Sequence, residues 1–151
     1  MSKIEIRKGQ IGDLPQVLEL VKELAEYERA AHEVENTVEQ MEIDGFGANP
    51  IFGFFVAEQE NKIVGISLYY YRYSTWKGKV LYLEDIIVTE KMRGQNIGYQ
   101  LFERTIQHAK DEGCKRMTWQ VLEWNEPALN FYRKFGAQFD PEWVNGILTF
   151  S

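Results

Sequence analysis

Metal-binding and redox-active side chains are scarce in this chain. Its 151 residues include one cysteine, Cys114, and two histidines, His32 and His108. A single cysteine excludes an internal disulfide and a cysteine-cluster metal site, and two histidines alone do not complete a structural zinc site. Neither histidine has a serine or cysteine partner pattern that indicates a catalytic triad. We therefore expect a protein that holds no metal.

Long hydrophobic runs are also missing. No apolar stretch approaches the ~20 residues of a membrane helix, and the N-terminal MSKIEIRKG lacks the apolar core of a signal peptide. We expect a cytoplasmic protein with no membrane partner. A composition of 44% hydrophobic and 14% aromatic residues is typical of a folded chain. The length predicts one domain over 1–151.

Positive charge is scarce in the first part of the chain. Residues 1–60 carry 5 lysines and arginines against 13 acidic residues, whereas 61–151 carry 12 against 10, and the net charge is −6. Nucleic-acid binding needs a basic face, so we expect no nucleic-acid partner. An acidic half beside a mildly basic half allows one domain to bind a cationic and an anionic ligand.

Hydrophobic periodicity predicts the element order βααβββαβαβ, a mixed sheet with helices on its faces, in one α/β domain. The strands are expected over 4–7, 51–58, 62–73, 80–88, 115–122 and 143–150. The helices are expected over 13 to about 31, 37 to about 45, 98 to about 112 and 125 to about 135. Asp13 with Gln16, Thr37 with Gln40, and Asn125 are the predicted N-terminal caps.

The segment 80–102 is the most informative for function, because a strand runs through a glycine-containing loop into a helix. Free N–H groups at a helix start bind anions, and glycine lets a phosphate approach the backbone. With only Gly94 and Gly98, the loop matches neither a Walker loop nor a dinucleotide fingerprint. On the glycines alone, an ordinary strand-to-helix turn stays open as an alternative.

The loop Arg93-Gly94-Gln95-Asn96-Ile97-Gly98 resembles the pyrophosphate loop, R/Q-x-x-G-x-G/A, of the GCN5-related (GNAT) N-acetyltransferases. Asn96 stands where the family has its first glycine, and asparagine tolerates the left-handed conformation better than other non-glycine residues. Further blocks resemble the spermidine/spermine N-acetyltransferase branch. They are KELAEYE (22–28), DGFG (44–47), LYYYRY (68–73), LYLEDIIV (81–88) and EWNEPALNFYRKFGA (123–137).

The resemblance implies a GNAT-like fold, a central mixed and mostly antiparallel sheet flanked by about four helices. It also implies a homodimer that transfers the acetyl group of acetyl-CoA to a primary amine of a polyamine or diamine by direct attack. The alternatives are another small amine as substrate, such as a lysine-like amino acid or an aminoglycoside-like polyamine, and a non-catalytic acyl-CoA-binding sensor. The implied coenzyme contacts are Ile86, Ile87, Val88, Arg93, Gly94, Gln95, Asn96, Ile97, Gly98, Tyr99, Asn125, Glu126, Pro127 and Ala128.

Two residues are the catalytic candidates. An amine attacks a thioester only as the free base, and an alkyl ammonium has a pKa near 10.4, so the site must remove a proton. Strand alternation places Glu84 and Asp85 on opposite sides of an apolar strand, where a salt-bridged pair is the alternative to function. The resemblance implies that Glu84 removes the proton and that Tyr132 protonates the leaving thiolate. The helical spacing of the apolar residues alone predicts that Tyr132 is a core aromatic residue.

Acidic and aromatic residues suggest a channel for a polycation. Tyr27 and Glu28 follow each other at the end of the first helix, and Glu142 is a further acid. Tyrosines alternate on the strand that precedes Trp76. Their position in the core or on a dimer surface is an equally open alternative to a position in the channel. The substrate-binding candidates are Tyr27, Glu28, Trp76, Glu84 and Glu142, with Tyr69 and Tyr71 beside them.

Overall fold

The computed structural model describes residues 3–150, which divide into two compact units. The first unit, described over 3–119, contains the whole sheet and three helices. The second unit, described over 120–150, contains one helix and a C-terminal segment. Among the described residues, no helix combines the length and the apolar character needed to cross a bilayer.

The sheet has five strands in the spatial order β1-β2-β3-β4-β5. The first four pair as antiparallel neighbours, and β5 runs parallel to β4, which confirms the predicted mixed and mostly antiparallel sheet. β2 and β3 form a hairpin whose turn residues, Glu60 and Asn61, both have positive φ. The strands are β1 (Glu5–Lys8), β2 (Gly53–Gln59), β3 (Lys62–Ser74), β4 (Gly78–Val88) and β5 (Arg116–Trp119).

Helices cover both faces of the sheet in the first unit. α1 (Leu14–Tyr27) and α2 (Val38–Phe46) pack on one face, where Leu14, Val17 and Met41 meet Phe54 and Ile66. α3 (Ile97–Asp111) packs on the other, where Ile97, Leu101 and Ala109 meet Phe55 and Leu81. Phe54 and Phe55 enter opposite clusters because successive strand residues point to opposite faces. α4 (Glu126–Arg133) belongs to the second unit.

The predicted cap at Asp13 is wrong, whereas the caps at Thr37 and Asn125 are confirmed. The Thr37 hydroxyl accepts from the Gln40 N–H at 3.1 Å, and the Asn125 side chain accepts from the Ala128 N–H at 3.3 Å. Asp13 does not cap α1, because its carboxylate accepts two bonds from Arg7, at 2.9 and 3.0 Å, and one from the Gln10 N–H at 2.8 Å.

Gln16 does not complete the predicted capping box either. Its side-chain oxygen accepts the N–H of Ile63 at 2.9 Å and so joins α1 to the start of β3. Burial raises the pKa of Asp13, but the bonds from Arg7 and from the Gln10 N–H outweigh that effect and hold it below its usual value. Both residues therefore dock the helix on the sheet, and tertiary contacts have displaced the local cap.

The predicted last strand is wrong, because residues 143–150 have no strand structure. Their apolar side chains are exposed, among them Val144 at 93% and Phe150 at 87%. The pattern V-x-x-I-L-x-F marks side chains that suit a strand, but a strand also needs a neighbour to pair with. β5 likewise ends at Trp119, three residues short of the prediction.

Candidate active site

A β-bulge places Glu84 and Asp85 in one cavity. Along the β3–β4 ladder Tyr69 pairs with Leu83 and Leu68 pairs with Asp85, so Glu84 is an extra residue on β4. A bulge bends the strand and redirects side chains, and it interrupts the alternation of an ideal strand. The expectation that the two carboxyls lie on opposite sides is therefore wrong, because both line the same cavity of about 470 Å³.

We call this space the carboxyl cavity. It lies between the α1–α2 side of the first unit and the strands β3 and β4. Among the described residues that line it, three are acidic and none is basic. Leu18 and Val21 of α1 and Leu68 of β3 contribute to its apolar wall. Its polar lining residues are Asn36, Asp44, Tyr70, Tyr71, Glu84 and Asp85.

Glu84 is held by a neighbouring tyrosine. The Tyr70 hydroxyl donates to Glu84 Oε1 at 3.1 Å. Burial, and then the negative charge of Glu84, raises the pKa of Tyr70 to about 12. Tyr70 therefore keeps its proton at neutral pH and stays a donor, while the exposed carboxylate of Glu84 is oriented and remains open to a cation.

Asp85 is less exposed than Glu84, and it behaves differently. Burial, followed by the charges of Glu84 and Glu28, raises the pKa of Asp85 to about 7. Burial also raises the pKa of Glu28, which follows α1 directly. None of the ion pairs found within residues 3–150 includes Glu28, Glu84 or Asp85, so the salt-bridged alternative is not observed. A carboxyl with this pKa can exchange a proton near neutral pH.

The edge of β4 beyond the bulge lacks a strand partner on one side. The β4–β5 ladder ends where Leu83 pairs with Trp119, whereas the β3 side continues to Val88 opposite Gly65. Within residues 3–119, the backbone of 86–88 therefore has no ladder on the β5 side. An extended ligand with amide groups can add to such an edge as a strand does. Ile86, Ile87 and Val88, the predicted pantetheine contacts, lie there.

The loop after β4 turns twice with positive φ before α3 begins. Gly94 has φ +81° and Asn96 has φ +69°, so Asn96 takes up the left-handed conformation expected of it. The N–H of Gln100 is bonded to Asn96 O at 3.1 Å, as in a regular first turn of α3. The N–H groups of Ile97 and Gly98, one turn earlier, have no acceptor inside the helix and suit an anion.

Arg93 faces α1. Its Nε donates to Val88 O at 3.1 Å, Nη2 lies 3.6 Å from Glu23 Oε2, and the guanidinium lies 5.8 Å from the centre of the Tyr27 ring. Glu23 is not among the predicted site residues, although it lies in the block 22–28. The available signal was its spacing from Tyr27, because residues four apart on a helix are neighbours.

The other predicted substrate residues of the first unit are spread along the β3–β4 ladder. Trp76 is 86% exposed in the turn at the end of the ladder opposite to the bulge. Tyr69 is buried against Phe55, with ring centres 5.7 Å apart, and is a core residue. Tyr71 borders the carboxyl cavity. Its hydroxyl, however, is hydrogen-bonded to His108 Nε2 of α3 at 2.7 Å. The structure of 3–119 therefore brings neither the Tyr71 hydroxyl nor Trp76 together with Glu84 and Asp85.

The second unit contains Asn125, Tyr132 and Glu142. Asn125 is buried and caps α4, whose first turn contains Glu126, Pro127 and Ala128. Tyr132 is 7% exposed, and its ring centre is 5.4 Å from that of Phe131. Glu142 is exposed, and its N–H donates to Asp140 Oδ1 at 3.0 Å.

These features of the first unit define a class of protein. An open strand edge and an anion-receiving helix start suit an elongated phosphate-bearing cofactor, and the carboxyl cavity suits a cationic substrate. The sequence profile of the acetyltransferase (GNAT) family matches residues 15–137. The chain therefore belongs to the GNAT family and is an acetyl-CoA-dependent N-acetyltransferase.

Named relatives agree with this class. The chain is 40% identical over 146 residues to the thialysine N-epsilon-acetyltransferase of Bos taurus, covering 91% of this chain and 86% of that protein. It is 38% identical over 144 residues to the human spermidine/spermine N(1)-acetyltransferase-like protein 1, covering 91% of this chain and 21% of that protein. The aminoglycoside N-acetyltransferase AAC(6')-Iy, solved in complex with CoA, shares the fold, with a TM-score of 0.75, 18% identity and coverage of 98% and 96% of the two chains.

Proposed function

We propose that this N-acetyltransferase acts on a small amine that carries a second cationic group, of the diamine or polyamine class. The carboxyl cavity is the observation that carries the proposal. Asp44, Glu84 and Asp85 line it, and Glu28 lies close enough to raise the pKa of Asp85. No basic residue is among the described residues that line it. A dication gains favourable contacts with such a lining, whereas a carboxylate-bearing amine is repelled by it.

The carboxyls of the cavity prepare the amine for attack. Glu84, oriented by Tyr70, and the neighbouring Glu28 attract ammonium groups and hold them. Glu84 is the proposed group that removes the proton of the reacting ammonium. Asp85, adjacent to it on β4, is a second acceptor whose pKa lies near neutral. The amine then reacts as the free base.

The residues around the loop after β4 fit the cofactor. The starting N–H groups of α3 and the left-handed turn at Gly94 and Asn96 would hold the diphosphate, and the open edge at 86–88 would hold the pantetheine arm. Acetyl-CoA supplies the acetyl thioester. Tyr132 is the proposed donor of the proton that the leaving thiolate takes up.

We propose direct attack without an acetyl-enzyme intermediate. Cys114 is the only cysteine of the chain. Burial raises the pKa of its thiol, and the thiolate is the form that reacts as a nucleophile. A substituted Cys114→Ala enzyme should therefore keep its activity.

A lysine-like amino acid is the second candidate substrate, because relatives over most of the chain bear the name thialysine N-epsilon-acetyltransferase. The two candidates differ in one group, the α-carboxylate. An α-carboxylate would need a basic residue or a hydrogen-bond donor in the carboxyl cavity. None of the described lining residues is basic, and Asn36 is the one amide among the polar ones. The lining of the cavity in the first unit therefore favours the diamine.

A matched pair of substrates tests the choice. Thialysine and bis(2-aminoethyl) sulfide differ only by the carboxylate, and both carry two amino groups. Thiol release from acetyl-CoA gives kcat/KM for each, with spermidine as a third substrate. We expect the diamine to exceed thialysine by about tenfold or more, the effect of one uncompensated charge contact. A preference for thialysine would replace the polyamine assignment by the lysine-like one, and no thiol release with any of the three amines would exclude both substrate classes.

We also propose that the protein is a cytoplasmic homodimer. The apolar side chains of 143–150 are exposed in one copy of the chain, among them Trp143 at 76% and Leu148 at 84%. A second copy that covers such side chains would remove apolar area from water. Light scattering at micromolar concentration should report twice the mass of 17.7 kDa. A mass of one chain would contradict the dimer.

A further inference from the structure

Glu23 of α1 bonds to the connection between β4 and the loop at 93–98. Its Oε1 accepts from the Thr89 hydroxyl at 3.0 Å, and its Oε2 accepts from the Glu90 N–H at 3.0 Å. Arg93 Nη2 lies 3.6 Å from the same Oε2. The Glu23 side chain is only 35% exposed. Both of its oxygens are thus engaged with one segment, 89–93.

These contacts shape a turn that has no cap of its own. Residues Glu90–Met92 form a single 3-10 turn, and Thr89 before it makes no side-chain capping bond. The first N–H groups of a helical turn lack acceptors within the turn. Glu23 supplies that acceptor from a neighbouring helix. At the other end of the turn, Arg93 Nε donates to Val88 O at 3.1 Å.

The turn sets the direction in which the chain reaches Gly94 and Asn96. A phosphate site made of backbone N–H groups depends on their aim, and supporting residues must hold such groups to within about 0.5 Å. If a loop becomes ordered only when the ligand binds, the loss of conformational entropy lowers the affinity of the protein for that ligand. A side chain that orders the loop beforehand removes this loss.

We propose that Glu23 is a positioning residue for coenzyme A, which holds the segment 89–93 so that the following loop receives the diphosphate. The inference rests on the proposed assignment of 93–98 to the coenzyme. In this role Glu23 acts through the segment 89–93 and does not touch the reacting atoms. Its removal should therefore weaken coenzyme binding without slowing the chemical step.

Two substitutions at position 23 separate its bonds from its charge. Glu23→Ala removes both acceptors. Glu23→Gln keeps one oxygen for the Glu90 N–H, and its amide can donate to the Thr89 hydroxyl, which accepts as well as donates. We expect Glu23→Ala to raise the Kd of coenzyme A and the KM of acetyl-CoA about tenfold, and Glu23→Gln to raise them by about threefold at most. The kcat at saturating acetyl-CoA should stay within about twofold of the wild type.

Glu19→Ala is the matched control. Glu19 lies one turn earlier on α1, is 77% exposed and approaches Lys22 only to 3.9 Å, so its loss should leave the Kd unchanged. Thr89→Val removes one donor to Glu23 at constant shape and should give an intermediate Kd. It also tests the contact if Glu23→Ala fails to fold, which circular dichroism would show.

Gly98→Val separates the two proposals. A folded Gly98→Val enzyme that keeps its coenzyme affinity would overturn the assignment of the loop, and the role of Glu23 with it. If Gly98→Val loses affinity while Glu23→Ala and Thr89→Val keep it, only the role of Glu23 is overturned. A lower melting temperature of Glu23→Ala with unchanged Kd and KM would show a stabilising contact only and would also overturn the inference.

Discussion

Asp85→Asn should change activity and stability in opposite directions. Burial and the charges of Glu84 and Glu28 raise the pKa of Asp85 to about 7 from an ordinary value of 3.8. The folded protein therefore binds a proton at Asp85 more tightly than the unfolded chain does. The contribution of Asp85 to the free energy of unfolding is largest below pH 3.8 and falls as the pH rises to about 7. Above about pH 7 it no longer changes.

The magnitude follows from the size of the shift. One pKa unit corresponds to about 1.4 kcal/mol, so a shift of about three units sets an upper bound of about 4 kcal/mol. Asparagine keeps the shape of the side chain and removes the charge. We expect Asp85→Asn to raise the free energy of unfolding at pH 8 by about 2 kcal/mol, and to change it little at pH 4.

The same substitution should lower activity if Asp85 accepts a proton beside Glu84, as proposed. The acid limb of kcat/KM against pH should have an apparent pKa near 7 in the wild type and should flatten in Asp85→Asn. The plateau value of kcat/KM should fall by up to ~10²-fold. This is the lower end of the contribution that proton transfer by a side chain makes to catalysis. Urea unfolding at pH 4 and pH 8 and the rate profile are the two assays.

Asp111→Asn is the control, since Asp111 is an exposed aspartate at the end of α3. It should change neither the pH dependence of unfolding nor the acid limb. An Asp85→Asn protein that is less stable than the wild type at pH 8 would refute the raised pKa. An unchanged acid limb would refute the participation of Asp85 in proton transfer and leave Glu84 as the acceptor.

Two further substitutions test other parts of the account. Tyr132→Phe removes one hydroxyl and should lower kcat by about 10²-fold or more at unchanged acetyl-CoA affinity. Steady-state kinetics and calorimetry measure the two quantities. Full activity of Tyr132→Phe across the pH range would show that Tyr132 is a core residue only. Asp13→Asn loses the paired bonds from Arg7 and should destabilise the fold by about 2 kcal/mol at pH 7. Because the pKa of Asp13 is lowered on folding, that difference should shrink as the pH falls below 4, and a difference that persists at pH 2 would contradict it.

Most of the fold could be predicted because its elements have strong local signals. Thr37 and Asn125 cap their helices through bonds to residues three positions on, which sequence spacing reveals. Asn96 stands at a left-handed position that the resemblance placed there. Asp13 and Gln16 had equally good local spacing, but their partners are Arg7 of β1 and the N–H of Ile63 of β3. A cap that is displaced by a tertiary partner cannot be read from spacing.

The site was predictable by residue type and not by geometry. The two adjacent acids in an apolar strand indicated a special position, but alternation assigned them to opposite sides. The bulge at Glu84 is a property of the pairing between β3 and β4, and one strand alone does not show it. The segment 143–150 illustrates the converse, because its strand-like pattern finds no pairing among the described residues.

The central claim is that the carboxyls near Asp85 recognise the distal charge of the amine. Glu28→Gln removes one of these charges without touching Glu84. The decisive measurement is kcat/KM for spermidine, propane-1,3-diamine and propylamine in the wild type and in Glu28→Gln. We expect a loss of about tenfold or more for spermidine and little change for propylamine, which has no second ammonium to hold. Raised salt should reduce the wild-type preference for spermidine by screening. Equal losses for all three amines would contradict the claim.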